Sequence, residues 1–171
     1  MSLQTERLMF KKITIGDIDR IFSIFNNSTL TQYFVSGSDK NKGDTKKRIE
    51  NIITHWNKYG FGDFLLINKS RNMVVGYGGL HYKSMGANIN ISYIIKPKFQ
   101  KQGLGYETSM KLLDYGFNTL SLNSIVAEID PNNKASQKLI EKCGFKFNRI
   151  IVWKGFERKE YIMSSIDFTD N

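Results

Sequence analysis

The stretch from Ile94 to Met110 reads IIKPKFQKQGLGYETSM. Apolar residues close a strand pattern that Pro97 stops, a short loop carries Gly103 and Gly105, and a helical pattern begins at once. Glycines in such a loop let the backbone approach a ligand and adopt dihedrals that other residues avoid. The first N–H groups of a helix have no intrahelical partner, and the macrodipole is positive at that end. Strand end, glycine loop and helix start together make a place for a diphosphate, and Lys98 and Lys101 add positive charge beside it. Two other phosphate loops are excluded: the Gly-Lys-Ser/Thr ending of the nucleotide P-loop is missing, and the dinucleotide G-x-G-x-x-G pattern needs Gly or Ala at Thr108. What remains is Gln100-x-x-Gly103-x-Gly105, a spacing that a tight strand-to-helix turn with no ligand also satisfies.

Working outward, Glu107 to Leu120 reads as a helix with Met110, Leu113, Tyr115 and Phe117 among polar positions, and Ser124 to Ile129 as a short buried strand. Asp130-Pro131-Asn132-Asn133-Lys134-Ala135-Ser136 then opens a helix, from Asn133 or Lys134 to Lys142, that Gly144 ends as a left-handed cap. Capping is the ordinary role of Asn133 and Ser136 there. Phe145–Trp153 and Glu157–Ser165 read as the last two strands, joined by a turn at Lys154-Gly155-Phe156. Upstream, Phe61–Asn68, Met73–Tyr82 and Asn88–Ile95, the last with clear alternation, read as strands with turns at Lys69–Asn72 and Ser84–Gly86, an antiparallel meander. The glycines of the middle strand suggest a bulge. Before them come a strand over Thr5–Ile13, a helix from Ile15 or Gly16 capped by Thr14, a polar stretch Asn26–Gly43 with room for a short helix, and a helix from Asp44 to Tyr59-Gly60. The order β, α, α, β, β, β, α, β, α, β, β predicts an α+β fold, a mixed sheet with helices packed on its faces.

Composition narrows the function classes. The 171 residues suit one domain, 1–171, with 40% hydrophobic, 13% aromatic and 24% charged residues, an ordinary globular balance. One cysteine, Cys143, forms no internal disulfide, and with only His55 and His81 beside it a dedicated zinc site is not expected. The N-terminus shows no apolar secretion segment, and no apolar run approaches the roughly 20 residues that cross a bilayer, so the expected location is cytoplasmic with no membrane partner. Twenty-five Lys and Arg against 16 Asp and Glu give a net charge of +9, which attracts polyanions, whether nucleic acid, anionic lipid or a phosphorylated cofactor. There is no RNP-like aromatic strand, helix-turn-helix signature or dense arginine stripe to favour nucleic acid.

The Gln100-x-x-Gly103-x-Gly105 loop and its helix, followed by a strand, the Asn133-x-x-Ser136 helix and Gly144-Phe145, resemble the GNAT superfamily of N-acetyltransferases. Thr5-Glu6-Arg7-Leu8 resembles the first strand of its RimJ/RimL-like branch, which acetylates ribosomal-protein N-termini. The resemblance covers nearly the whole chain, and Tyr93 before Pro97 and Glu107 in the long helix fit it. It implies the GNAT fold, with a splayed cofactor cleft in a mostly antiparallel sheet, and acetyl-CoA as co-substrate without a metal. By the same resemblance, the amides of Lys101, Gln102, Gly103, Leu104, Gly105 and Tyr106 hold the pyrophosphate. Tyr93, Ile94, Ile95 and Lys96 pair with the pantetheine arm, as an exposed strand edge can, and Asn133 hydrogen-bonds that arm.

Acetyl transfer to an amine needs a proton removed from the ammonium, a donor for the developing oxyanion and help for the leaving thiolate. Direct attack in one ternary complex needs no enzyme nucleophile, so Cys143 is read as a packed core thiol. Many superfamily members carry a tyrosine acid where this chain has Ile140, which leaves Ser136 as the nearest group for the sulfur. A branch glutamate is replaced by Asn90, so the candidate bases are His81, Glu128 and Glu6, or a water chain. Tyr33 and Phe34, with Tyr93, are the candidate acceptor contacts, while Trp56 and Glu107 are read as structural. The acceptor is a primary amine, on a small molecule or on a protein N-terminus, possibly ribosomal, and nucleic acid enters only through that ribosomal context. The chain is expected as a monomer or homodimer. A GNAT-fold CoA-binding protein without catalysis, and a basic nucleic-acid-binding module, are the competing readings.

Overall fold

The computed structural model describes residues 3–82 and 88–169, so the turn expected at Ser84–Gly86 lies outside them. Seven strands form one sheet: β1 (Leu8–Lys12), β2 (Asp63–Asn68), β3 (Met73–Tyr82), β4 (Ile89–Ile95), β5 (Ser124–Ile129), β6 (Lys146–Trp153) and β7 (Phe156–Ser164), in the order β1-β2-β3-β4-β5-β7-β6. Every neighbouring pair is antiparallel except β4 and β5, which run parallel and meet at one register pair, Asn90 with Val126. Beyond that pair the two strands part. A bulge does lie next to a glycine of β3: Leu66 pairs with Gly76 and Ile67 with Val74, which leaves Val75 as the extra residue.

The sheet is covered on both faces because alternate residues of its central strands are apolar. Leu65 and Ile67 of β2, with Tyr77 of β3 and Ile94 of β4, pack against Ile21, Ile24 and Phe25 of α1 (Ile18–Phe25) and Ile49 and Ile52 of α3 (Lys42–Tyr59). Phe64 and Leu66, with Leu80 and Ile95, pack on the opposite face against Leu104, Leu112 and Leu113 of α4 (Leu104–Asp114) and Ile140 of α5 (Lys134–Lys142). A short helix, α2 (Ser28–Thr31), sits inside the polar stretch between α1 and α3.

Several boundaries differ from expectation for local reasons. The third helix starts at Lys42, two residues before Asp44, because Asn41 is its cap and accepts from the Asp44 amide at 3.1 Å. The long helix begins at Leu104 rather than Glu107, with Gly103 at its cap in a left-handed conformation, φ 79°. It ends in a widened π turn, Tyr115–Thr119, where Gly116 lies against the sheet; a Cβ there would stand 2.6 Å from Ile125 Cδ1. Ser165 starts a short helix, α6 (Ser165–Thr169), instead of ending a strand, because Ser164 and Asp167 exchange hydrogen bonds at 2.6 and 3.1 Å. Among the described residues no helix is long and apolar enough to cross a membrane.

Gly78 sets how close α4 comes to the sheet: a Cβ there would stand 3.1 Å from Thr108 Cγ2 and 3.2 Å from the Ser92 carbonyl oxygen. Gly78→Val is therefore expected to destabilise the protein by about 1–3 kcal/mol through overpacking, read as a lower urea midpoint at unchanged slope. An unchanged midpoint would show that the helix does not approach the strand as closely as described.

Candidate active site

The loop before α4 is built to leave amides open. Lys101 and Gly103 both take left-handed dihedrals, φ 59° and 79°. Among the described residues no acceptor within the protein meets the N–H groups from Lys101 to Tyr106; the first amide of the helix to find one is Glu107, bonded to the Gly103 carbonyl at 3.0 Å. Gly105 is needed for packing: a Cβ there would stand 2.9 Å from Leu139 Cδ1 and 3.3 Å from Tyr93 Cε2. Gln100 donates to the Ile95 carbonyl at 2.8 Å and so ties the loop to the end of β4.

The loop is braced from the start of the chain. Arg7 donates to the Gln102 carbonyl at 2.8 Å through Nη1 and to Glu107 at 2.6 Å through Nε, and the Thr5 hydroxyl also donates to Glu107. Burial works against the Glu107 charge, but the hydrogen bonds from Thr5 and Arg7 outweigh it and hold the carboxyl below its ordinary range. Glu107 thus acts through the loop it fastens.

Beside the loop, β4 offers a free edge. The Lys96 amide bonds the Val75 carbonyl at 2.8 Å, and Ile94 pairs opposite Tyr77, so the alternation of an antiparallel ladder turns the backbone groups of Ile94 and Lys96 toward β3. Those of Tyr93 and Ile95 turn the other way, toward the gap that opens beyond the Asn90–Val126 pair, with the Ile95 carbonyl already held by Gln100. On the far side of the gap, Asn133 caps α5 by accepting from the Ser136 amide at 3.1 Å. The Tyr93 hydroxyl reaches across and stands a long 3.4 Å from the Ser136 hydroxyl. Burial, against the effect of Ser136, pushes the Tyr93 phenol up to about 12.

A cavity of about 600 Å³ spans the gap, bordered by α1 and α3 on one face and by Tyr93, Ser136 and Ile140 on the other, and it gathers Tyr33, Phe34, His81, Tyr93, Asn133 and Ser136. Its floor is a polar band set by register. Asp63 lies opposite Gly79 and Gly79 opposite Ser92; one row along, His81 lies opposite Asn90. Directly opposed residues share a face, and a side chain at Gly79 would fill the space that Asp63 occupies. Asp63 Oδ1 stands 3.2 Å from His81 Nδ1, and the Asp63 carboxylate also accepts from Tyr77. Burial opposes the Asp63 charge, but His81 and Tyr77 prevail and keep the carboxyl below its usual value. An ionised carboxylate only accepts, so Nδ1 of His81 is the donor in this contact.

Sequence reading alone did not find Asp63, although a carboxylate set between Gly62 and the apolar run Phe64–Ile67 was the available signal. As expected for the helix that follows Gly43, α3 lies over the acceptor side and lines the cavity with Asp44, Lys47, Asn51 and His55, which recur at helical spacing. Of the other candidate bases, Glu128 lines the cavity, whereas Glu6 lies in a groove beside Arg7 and Tyr106. Phe34 lines the cavity while packing edge-on against Phe25, ring centroids 6.2 Å apart. Trp56 packs on Phe64 and donates to the Asp63 carbonyl at 3.0 Å. Cys143 is buried, and burial pushes its thiol up to about 11, away from the reactive thiolate.

A domain model described as an acetyltransferase (GNAT) domain matches residues 7–146, and the chain belongs to that family, whose chemistry is acetyl transfer. "Uncharacterized N-acetyltransferase YoaA" of Bacillus subtilis (strain 168) is 29% identical over 150 residues, 84% of this chain and 82% of that protein. The fold is similar to that of a GNAT-family acetyltransferase from Bacillus anthracis, with TM-score 0.82 and 22% identity over 97% of this chain and 99% of the other. It is also similar to spermidine N-acetyltransferase from Vibrio cholerae, in complex with CoA and spermine, with TM-score 0.81 and 19% identity over 96% and 99%. Among the described residues no group of three or more His, Cys, Asp or Glu is placed to hold a metal ion.

His55 gives the site a pH signature. Its Nδ1 faces the Phe61 carbonyl at 2.8 Å and its Nε2 accepts from the Tyr82 amide at 3.0 Å, which fixes the neutral Nδ1–H tautomer. Burial pushes its pKa below the ordinary imidazole value, against the opposing Phe61 bond and Asp63 charge. Below about pH 6.5 the unfolded chain therefore takes up a proton that the folded one refuses, so this residue lowers stability as the pH falls. Imidazole NMR is expected to show His55 as the Nδ1–H form, titrating below free histidine. Titration at or above the free value would contradict the assignment.

Proposed function

We propose that this protein transfers the acetyl group of acetyl-CoA to a primary amine by direct attack within a ternary complex. The observation that carries this is the run of open amides from Lys101 to Tyr106 beside the free edge of β4. Such a run suits a diphosphate, and the edge at Tyr93 suits a polar, extended arm. The residues present fit the coenzyme: the loop amides would hold its pyrophosphate, and Tyr93, Ile95 and the α5 start at Asn133 would hold its arm. When bound, acetyl-CoA supplies an acetyl group activated as a thioester.

The chain's own residues supply the rest. His81 takes the ammonium proton at Nε2, and Asp63 holds the ring and favours the imidazolium that results. The Tyr93 phenol, pushed up to about 12, stays protonated against a thiolate, whose ordinary pKa is about 8.5. It therefore serves the departing sulfur as a hydrogen-bond donor, together with Ser136. The Thr5-Glu6-Arg7-Leu8 opening, whose Arg7 braces the amide loop, supports placement in the RimJ/RimL-like branch. The acceptor is a small amine or a protein N-terminus; the name of the Vibrio cholerae neighbour is consistent with an amine.

Acetyl-CoA at about 100 times its dissociation constant is expected to stabilise the protein by about 2.7 kcal/mol through mass action, a rise of about 5–10 °C in melting temperature at this chain length. Gly103→Asp, which brings negative charge to the cradle, is expected to abolish the rise. A rise that survives the substitution would refute the cradle.

Thiol release with a panel of amines tests the chemistry. His81→Ala is expected to lower kcat by about 10²–10⁴ with the acetyl-CoA-induced rise in melting temperature kept, and Asp63→Asn to lower it less. Unchanged turnover in both would remove the dyad from the mechanism.

A further inference from the structure

The segment that roofs the acceptor side of the cavity, Tyr33 to Ser36, is carried between two anchored ends. At one end the Asn27 side chain caps α2, accepting from the Leu30 amide at 3.2 Å. At the other, Asp39 is gripped by Arg48 at 2.6 and 3.2 Å and by the Thr45 hydroxyl at 2.8 Å. Between them the backbone is reached from the far half of the sheet. Arg158, only 5% exposed, donates through Nη1 to the Tyr33 carbonyl at 2.9 Å and to Asp130 Oδ2 at 3.1 Å.

Asp130 is the residue at which the cofactor side begins. It follows β5 directly, and because Ile129 pairs with Lys159, Asp130 and Arg158 continue the β5–β7 ladder by one step. Its other oxygen, Oδ1, accepts from the Asn132 amide at 2.9 Å, and its carbonyl accepts from the Asn133 amide at 2.9 Å. Those bonds shape the turn that delivers Asn133 and Ser136 to the gap. One carboxylate therefore forms the turn on the cofactor side and neutralises the arginine that holds the roof on the acceptor side.

We propose that Arg158 is a positioning residue for acceptor binding: together with Asp130 it straps the Tyr33–Ser36 segment over the cavity and sets its distance from the gap. The inference rests on the acetyltransferase reading for its consequence in catalysis, while the strap itself is a property of the fold. An arginine suits the role because one planar guanidinium reaches a carbonyl and a carboxylate at once, which the single ammonium of lysine does less well. A roof contact that the amine makes equally in the ground and transition states shows in KM, with kcat nearly unchanged, when it is lost.

The test uses Arg158→Met, which keeps bulk, with Arg158→Lys as a milder variant should the first not fold. Hydrogen exchange needs no substrate and reads the strap directly. Exchange of the amides of residues 33–36 is expected to accelerate about tenfold or more in Arg158→Met, with those of α3 unchanged. In steady-state assays the KM for the amine is expected to rise about tenfold or more, with kcat nearly unchanged and acetyl-CoA affinity by thermal shift as in the parent. Arg158→Lys is expected to fall between the two. Unaltered exchange in residues 33–36, or a uniform increase over the whole chain, would overturn the proposal. So would equal loss of affinity for amine and coenzyme. If the parent protein acetylates no amine, the acetyltransferase reading fails while the exchange arm still decides the strap.

Discussion

The structure turns on two parallel strands that stop pairing after one step. β4 and β5 share the Asn90–Val126 pair and then diverge, which leaves backbone donors and acceptors at Tyr93 and Ile95 without a sheet partner. Buried polar groups of that kind are costly unless satisfied, so the gap persists only because other contacts hold it apart. Gln100 fixes the end of β4, and Asn90 turns its side chain to the Glu128 amide at 3.2 Å. Asp130 and Asn133 turn the chain away from β4 into α5. The unpaired edge at Tyr93 and Ile95 is the one the proposed function assigns to the coenzyme's arm.

Charge in the molecule is arranged locally rather than as a field. The net +9 gave an early reason to consider polyanion partners, yet the carboxylates nearest the site are matched at short range: Asp39 with Arg48, Asp130 with Arg158 and Glu107 with Arg7 as ion pairs, and Asp63 with the Nδ1 of His81. Each pair fixes a backbone segment or a ring orientation. Three of the four carboxylates lie in, or next to, turns and strand ends that border the cavity or the amide loop. Their value is therefore geometric, consistent with the modest net stabilisation expected of such pairs.

The fold was legible where the physics is local. The unbroken apolar run Phe64–Ile67 gave a strand covered on both faces, and Gly60 and Gly144 gave helix ends through their left-handed dihedrals, φ 77° and 96°. The Gln100–Gly105 loop could be read because a strand end, glycines and a helix start are adjacent in sequence. Boundaries slipped where a side chain out of pattern decided them, as with Asn41 before α3 and Ser164 before α6. The Asp63–His81 contact and the Arg158–Asp130–Tyr33 strap were not legible. The first joins residues 18 apart across β2 and β3, and the second joins three distant segments, one separation being 125 residues. Periodicity is silent about such meetings, since they depend on strand order and register.

The brace on the amide loop also has a temporal side. Arg7 meets Gln102 across 95 residues, and Thr5 meets Glu107 across 102. Contacts that distant form only after much of the chain entropy has been surrendered. Local helices and the β2–β3–β4 meander can assemble early, but the loop reaches its working shape once the opening segment has docked beside α4. Until that docking, the Lys101–Tyr106 amides lack the hold that Arg7 and Thr5 give the loop through Gln102 and Glu107.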